Sequence, residues 1–147
     1  MARLMGIATR EKKRAPMVAL ERAAVTRENG VAGDFRGKPG KRQVTVLSKE
    51  GWAAACLASG KAFDWTVRRA NLLVEGLDLR KSSGCILAIG DLRLLITRET
   101  DPCERMAEVS PALERALLEE WRGGVCCRVL EAGEIAVGDP VELIHAD

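Results

Sequence analysis

The chain has 147 residues, enough for one ordinary domain, and its 47% hydrophobic and 30% charged residues describe a packed globular protein, not a disordered one. Two Phe, three Trp and no Tyr leave the core to Val, Leu, Ile and Ala, and count against an aromatic stacking platform for single-stranded nucleic acid. Net charge is only +2 but is unevenly placed: residues 1–42 hold 11 Lys/Arg against 4 Asp/Glu, while the remainder is acidic. Such asymmetry points to an anionic partner for the N-terminal third, although residues 10–14 taken alone read as a solvated basic loop.

No apolar stretch reaches the length of a signal-peptide core or a membrane span, so a cytoplasmic location without membrane association is expected. The five cysteines, at 56, 85, 103, 126 and 127, are then expected as thiols. They offer no Cys-x-x-Cys pair, and the one histidine is His145. Structural zinc, which needs four well-spaced ligands, is therefore not expected.

In chain order, Arg3 to Thr9 and Met17 to Thr26 read as two strands joined by a charged connection. Residues 28–42, with four glycines and Pro39, read as a loop whose backbone can approach a ligand closely. Gln43 to Leu47 follows as a strand. Ser48 caps a helix that stops at Gly60, with Cys56 one turn after Trp52 on its core face. Lys61 to Arg69 is a connector anchored by Phe63 and Trp65. Asn71 to Glu75 is a strand, and Cys85 to Ile89 turns through Gly90-Asp91 into Leu92 to Thr97 as a hairpin, which gives Cys85 a structural place. Ser110-Pro111 opens another helix, with Leu113, Leu117 and Trp121 at i, i+4, i+8 on its buried face and Gly123-Gly124 as its end. Val125 to Glu131 and Asp139 to Ile144 complete the strands. Cys126 and Cys127 are adjacent in a strand, so one is expected inside and its neighbour exposed, with a resolving role for a sulfur-bearing cysteine the less simple alternative. Strands scattered along the whole chain with two or three short helices at the rim predict a single α+β, β-rich, mixed β-barrel-like domain over 1–147.

Three local patterns stand in order: Gly33-Asp34-Phe35-Arg36-Gly37 followed by Arg42-Gln43-Val44-Thr45; Arg69-Ala70-Asn71-Leu72 leading to Gly76-Leu77-Asp78-Leu79; and Pro102-Cys103 ahead of a helix, with Gly133 to Val141 closing the chain. Together they resemble the MOSC domain, the module that ends molybdenum cofactor sulfurases and also occurs alone in bacteria, most clearly over residues 25–144. The resemblance implies a fold that holds a molybdenum-pterin cofactor or handles sulfur destined for it. It makes Cys103 the metal ligand or persulfide carrier and puts Arg69 and Asn71 at the cofactor. Arg42, Gly33 and Asp34 carry over as further cofactor-binding positions. Arg36 stands where many members have histidine, which argues against proton transfer there and leaves anion binding.

Residue chemistry agrees. A thiolate accepts sulfane sulfur or binds soft molybdenum, and Cys103, in a loop at the start of a helical stretch with Arg105 two residues on, has cations and a helix dipole to favour it. Arginine grips phosphate with two parallel hydrogen bonds, making Arg36, Arg42, Arg68 and Arg69 candidates. Arg68 and Arg69 are adjacent, so only one is expected to face a ligand, and the resemblance selects Arg69. A chain of this length leaves no room for a pyridoxal-phosphate desulfurase domain, and it carries no flavin or iron–sulfur motif. A protein donor of sulfur or of electrons is therefore expected. The alternative is a non-catalytic barrel that binds a phosphate-bearing small molecule.

Overall fold

The computed structural model of the chain describes residues 2–101 and 104–145. Its frame is an eight-stranded sheet that curls on itself. Strands β1 (Arg3–Thr9) and β2 (Val18–Leu20) form one edge. The sheet is completed by β5 (Val44–Ser48), β6 (Leu72–Glu75), β7 (Ile86–Ile89), β8 (Leu92–Glu99), β9 (Val125–Glu131) and β11 (Glu142–Ile144). The order is β11-β7-β8-β9-β5-β6-β1-β2, antiparallel except for the parallel β5–β6 pair. A second, three-stranded sheet joins β3 (Arg22–Thr26), β4 (Gly30–Val31) and β10 (Gly133–Ala136). The main-chain N–H groups of Leu4, Gly138 and Val141 donate to Asp139, Leu4 and Ala2 carbonyls at 2.8, 2.7 and 3.0 Å. These bonds bring the two ends of the curled sheet together.

Alternation along the strands decides which face is which. Leu92, Leu94 and Ile96 of β8 point inward and are fully buried, with Val44 and Val46 of β5 and Leu72 and Val74 of β6 opposite them. Leu47 and Leu73 point to the other face of the same two strands. There they meet α1 (Lys49–Ser59), α2 (Glu104–Val109) and α3 (Pro111–Leu117) in a second core around Trp52, Met106, Leu113 and Leu117. Ser48 Oγ accepts from the Gly51 N–H and Gly60 closes α1 in the left-handed region at φ +80°. Ser110 caps α3 in the same way through Leu113. Ile89 pairs with Leu92 across the Gly90-Asp91 turn, as expected.

The architecture is the expected β-rich α+β domain, and the described helices are too short to cross a membrane. Several local readings differ. Met17–Thr26 is two strands in two sheets, because the chain bends at Glu21, whose carbonyl accepts from Val137 at 2.9 Å. Gly30-Val31 and Gly133–Ala136 are short strands hidden by their glycines, and β11 begins only at Glu142 because Asp139 and Pro140 pair with β1 instead. Trp121 is not on the helix: α3 ends at Leu117, and Glu120 and Trp121 take φ +54° and +58°, turning the indole onto the barrel core. Cys126 and Cys127 are both buried, since the outward-facing Cys126 is covered by Thr100, whose Oγ1 lies 3.2 Å from its Sγ. Burial and the adjacent Cys126 push the Cys127 thiol pKa far up, which makes it an inert core group. Neither thiol is placed to resolve a sulfur-bearing cysteine from the surface.

Candidate functional site

A cavity of about 380 Å³ opens where the end of β1, the starts of β5 and β6, the end of β8 and the turn after α3 converge. Its walls carry seven cationic side chains and three carboxylates among the described residues. The cations come from four segments: Arg10, Lys13 and Arg14 after β1; Arg36; Arg42; and Arg68 with Arg69. Asp34, Asp101 and Glu108 are the acids. So many like charges around one space repel each other and create a strongly positive potential that an anion relieves.

Each wall is fixed by main-chain bonding. Asp34 Oδ1 accepts from the Arg10 N–H at 3.1 Å and Oδ2 from the Arg36 N–H at 3.3 Å, while the Phe35 N–H donates to the Arg10 carbonyl at 2.8 Å. The Asp34 carboxylate thus clips the end of β1 to the Gly33–Gly37 loop and aims Arg10 and Arg36 together. The loop also rests on Gly37, where a Cβ would fall 1.6 Å from the Asn29 carbonyl oxygen. Buried Gln43 ties the same loop to β9. Its Nε2 donates to the Arg27 and Gly37 carbonyls at 2.7 and 3.0 Å, and its Oε1 accepts from Val129 at 2.9 Å.

Asn71 is tied into the scaffold through both ends of its amide. Its Oδ1 accepts from the Thr45 N–H at 3.0 Å and from the Thr45 hydroxyl at 3.3 Å, and its Nδ2 donates to the Ala8 carbonyl at 3.2 Å. One side chain therefore locks β1 to β5 at the cavity wall. Just before it, a 3₁₀ turn (Trp65–Arg68) capped by Asp64 ends at Arg69, which takes the left-handed conformation, φ +67° and ψ +26°. For a non-glycine residue that conformation is strained, and such strain is typical of functional loops. Against the expectation that only one would, both Arg68 and Arg69 line the cavity, on either side of this change of backbone hand.

Arg69 Nη2 donates to the Ala15 carbonyl, which ties the exposed basic 10–15 segment to the cavity rim, where Arg10, Lys13 and Arg14 line it. Arg68 is buried, with Nε donating to the Gly123 carbonyl at 3.2 Å and Nη2 to the Thr100 and Asp101 carbonyls at 3.4 and 3.2 Å. It fastens the chain leaving β8 to the turn before β9. Glu99, at the end of β8, has its carboxyl pKa raised by burial and by the charge of Asp101.

Of the residues singled out in the sequence, Asp34, Arg36, Arg42, Arg69 and Asn71 meet at this cavity. Gly33 lies just outside it, at φ +85°, with open space where a Cβ would be. Pro102 and Cys103 lie outside the described residues, as does the Arg105 side chain. Asp101 and Glu108, on either side of them in sequence, both line the cavity. Arg68, also an arginine candidate in the sequence, lines the cavity too, while Lys13 and Arg14 were legible only as a charge run.

Comparison with known proteins agrees with this geometry. The model of the MOSC domain matches residues 27–142. No curated protein matches the chain. Among solved structures, the YUAD protein from Bacillus subtilis is similar at 21% identity and a TM-score of 0.84, over 100% of this chain and 98% of that one. YiiM from Geobacillus stearothermophilus is similar at 18% identity and 0.78, over 98% of this chain and 75% of its own, and YiiM from Escherichia coli at 16% and 0.73, over 99% and 71%. With the family model spanning most of the chain, including the Gly33–Gly37 loop, β5, β6 and β8, the chain belongs to the MOSC domain family.

Proposed function

We propose that this chain binds a molybdenum-pterin cofactor in the cationic cavity, with Cys103 as the soft ligand to the metal or as the thiol that carries sulfur for it. The observation that carries this reading is the convergence of Arg36, Arg42, Arg68 and Arg69 on one space with Asp101, two residues before Cys103. The volume lies within the ~300–1,000 Å³ usual for ligand sites. The donor set fits a phosphate-bearing anion, since guanidinium groups match phosphate oxygens bidentately. When bound, the group would supply redox or atom-transfer chemistry at a soft metal.

The chain's own residues do the rest. Arg42 and Arg69 hold the phosphate, Asp34 and Asn71 hold the walls, and Arg68 fixes the main chain that leads to Cys103. As a sulfur carrier, the Cys103 thiolate attacks the outer sulfur of a donor persulfide; the donor S–S bond breaks, and the donor leaves as a thiolate that takes up a proton. A cytoplasmic setting keeps that thiol reduced between transfers. The partner is then a protein sulfur donor or, where the cofactor turns over a substrate, an electron donor.

Co-expression with the cofactor pathway, followed by metal and persulfide analysis of wild type and Cys103→Ser, tests the reading. Molybdenum or a persulfide in wild type that is lost in the variant is expected; neither in wild type overturns it. The excess of cations also favours anion binding without chemistry, and that second reading expects Cys103→Ser to leave binding intact while Arg42→Ala or Arg69→Ala abolishes it.

A further inference from the structure

Beside the cavity runs an open groove of about 620 Å³ that shares Arg36 and Arg42 with it. Lys38, Lys41 and Arg98 add three more cations; the Arg98 guanidinium also lies 3.9 Å from the Asp101 carboxylate at the groove's end, while among the described residues no carboxylate lines the groove itself. Phe35 lies along it with 43% of its surface exposed, in a chain that has only two phenylalanines. The Arg10 guanidinium, itself part of the cavity wall, sits 5.8 Å from the centre of that ring.

This groove is built, not a chance scatter of surface lysines. The Thr97 hydroxyl donates to the Lys41 carbonyl at 2.5 Å, and Gln43 holds the Gly37 carbonyl at 3.0 Å, so the segment bearing Lys38 and Lys41 is fastened at both ends. Cations without carboxylates suit phosphate, and an exposed ring suits a flat heterocycle, because every base presents a π-face. A protein partner would ask for a broader apolar centre than Phe35 and Pro39 supply.

We infer that the groove is a nucleotide subsite continuous with the cavity: it takes a nucleoside diphosphate moiety, with phosphates on Lys38, Lys41, Arg42 and Arg98 and the base on Phe35. This rests on the cofactor reading for what fills the cavity, and extends it to a ligand with a nucleotide tail or to a nucleotide that binds beside the cofactor.

Calorimetric titration of the full chain with ADP, GDP, CDP, pyrophosphate and phosphate tests it. A nucleoside diphosphate is expected to bind at least tenfold more tightly than phosphate. Phe35→Ala is expected to weaken the nucleoside diphosphates about tenfold while leaving pyrophosphate unchanged. Lys38→Gln with Lys41→Gln is expected to weaken both, with a shallower salt dependence. Nucleoside diphosphates that bind no better than phosphate, or that ignore both sets of changes, overturn the inference. Molybdenum retained in those groove variants would still uphold the cofactor reading, so the two fail separately. Protein already loaded with cofactor distinguishes the two sources: it refuses added nucleotide when the tail is part of the cofactor and binds it when the nucleotide is a separate ligand.

Discussion

Replacing Arg68 by methionine keeps most of the buried aliphatic stem and removes the guanidinium. Two carbonyls at 3.2 Å, those of Gly123 and Asp101, and one at 3.4 Å, that of Thr100, lose their donor. Hydrogen bonds to charged groups are worth about 1.5–3 kcal/mol each, so the two shorter ones place the gross loss at about 3–6 kcal/mol. Removing a buried charge returns part of that as relieved desolvation, which leaves a net loss of about 2–3 kcal/mol. For a domain near 150 residues, each kcal/mol moves Tm by about 2–4 °C, so a fall of about 4–12 °C is expected. Arg68→Lys should recover only a fraction, because an ammonium cannot span three carbonyls in the guanidinium plane. Urea unfolding checks the magnitude. An unfolding free energy for Arg68→Met within about 0.5 kcal/mol of wild type, the range of an ordinary surface change, would refute the view that this side chain ties the end of β8 to the turn before β9.

Phosphate and pyrophosphate should raise Tm at low ionic strength by relieving cation repulsion around the cavity, and the gain should shrink at high salt; a thermal-shift series with chloride as control measures it. Gly37→Ala forces a Cβ to within 1.6 Å of the Asn29 oxygen, and should cost about 2–4 kcal/mol in denaturant unfolding and lower anion affinity by loosening the loop that holds Arg36. Asn71→Ala leaves the Thr45 N–H and the Ala8 carbonyl without their partner, and should cost about 2–3 kcal/mol by the same assay. The buried Cys127 thiol has its pKa raised above the ordinary 9.0, so its contribution to stability is full below pH 9 and lost as pH rises beyond it. Cys127→Val should flatten the alkaline side of the stability profile. Asp78 has the opposite sign: its carboxyl is held at about 2 by its hydrogen bonds to Arg80, so its contribution is present above the ordinary 3.8 and fades as pH falls toward 2. Being exposed, it should move the acid side of the curve only slightly.

Much of the frame was legible because the relevant signals are local. Ser48 and Ser110 cap helices, Gly60 stops one, and Gly90-Asp91 turns a hairpin, each through atoms within a few residues of one another. What the sequence hid depends on distant partners. Glu21 and Arg22 interrupt the apolar run, but no turn residue marks the bend there, so nothing local reveals that β2 joins one sheet and β3 another. Trp121 keeps helical spacing, but two left-handed residues end that register. Cys126 is on the outward face, yet Thr100 covers it. In the site, motif order pointed to Arg42, Arg69 and Asn71, and the fold gathers them. The same motifs were silent on Arg68, because its partners are main-chain carbonyls 32 to 55 residues away, which any residue type supplies. Lys13 and Arg14 are indeed exposed, and their place at the cavity rim was hidden because it depends on Arg69 reaching the Ala15 carbonyl.

The most direct test of the central claim is native mass spectrometry of the full chain purified after co-expression with the cofactor pathway, with peptide mapping of Cys103. A molybdenum-pterin adduct on the intact chain, or one added sulfur atom on Cys103, with Arg42→Ala and Arg69→Ala abolishing the adduct, is the predicted result. A bare chain with an unmodified Cys103 thiol under those conditions would contradict it.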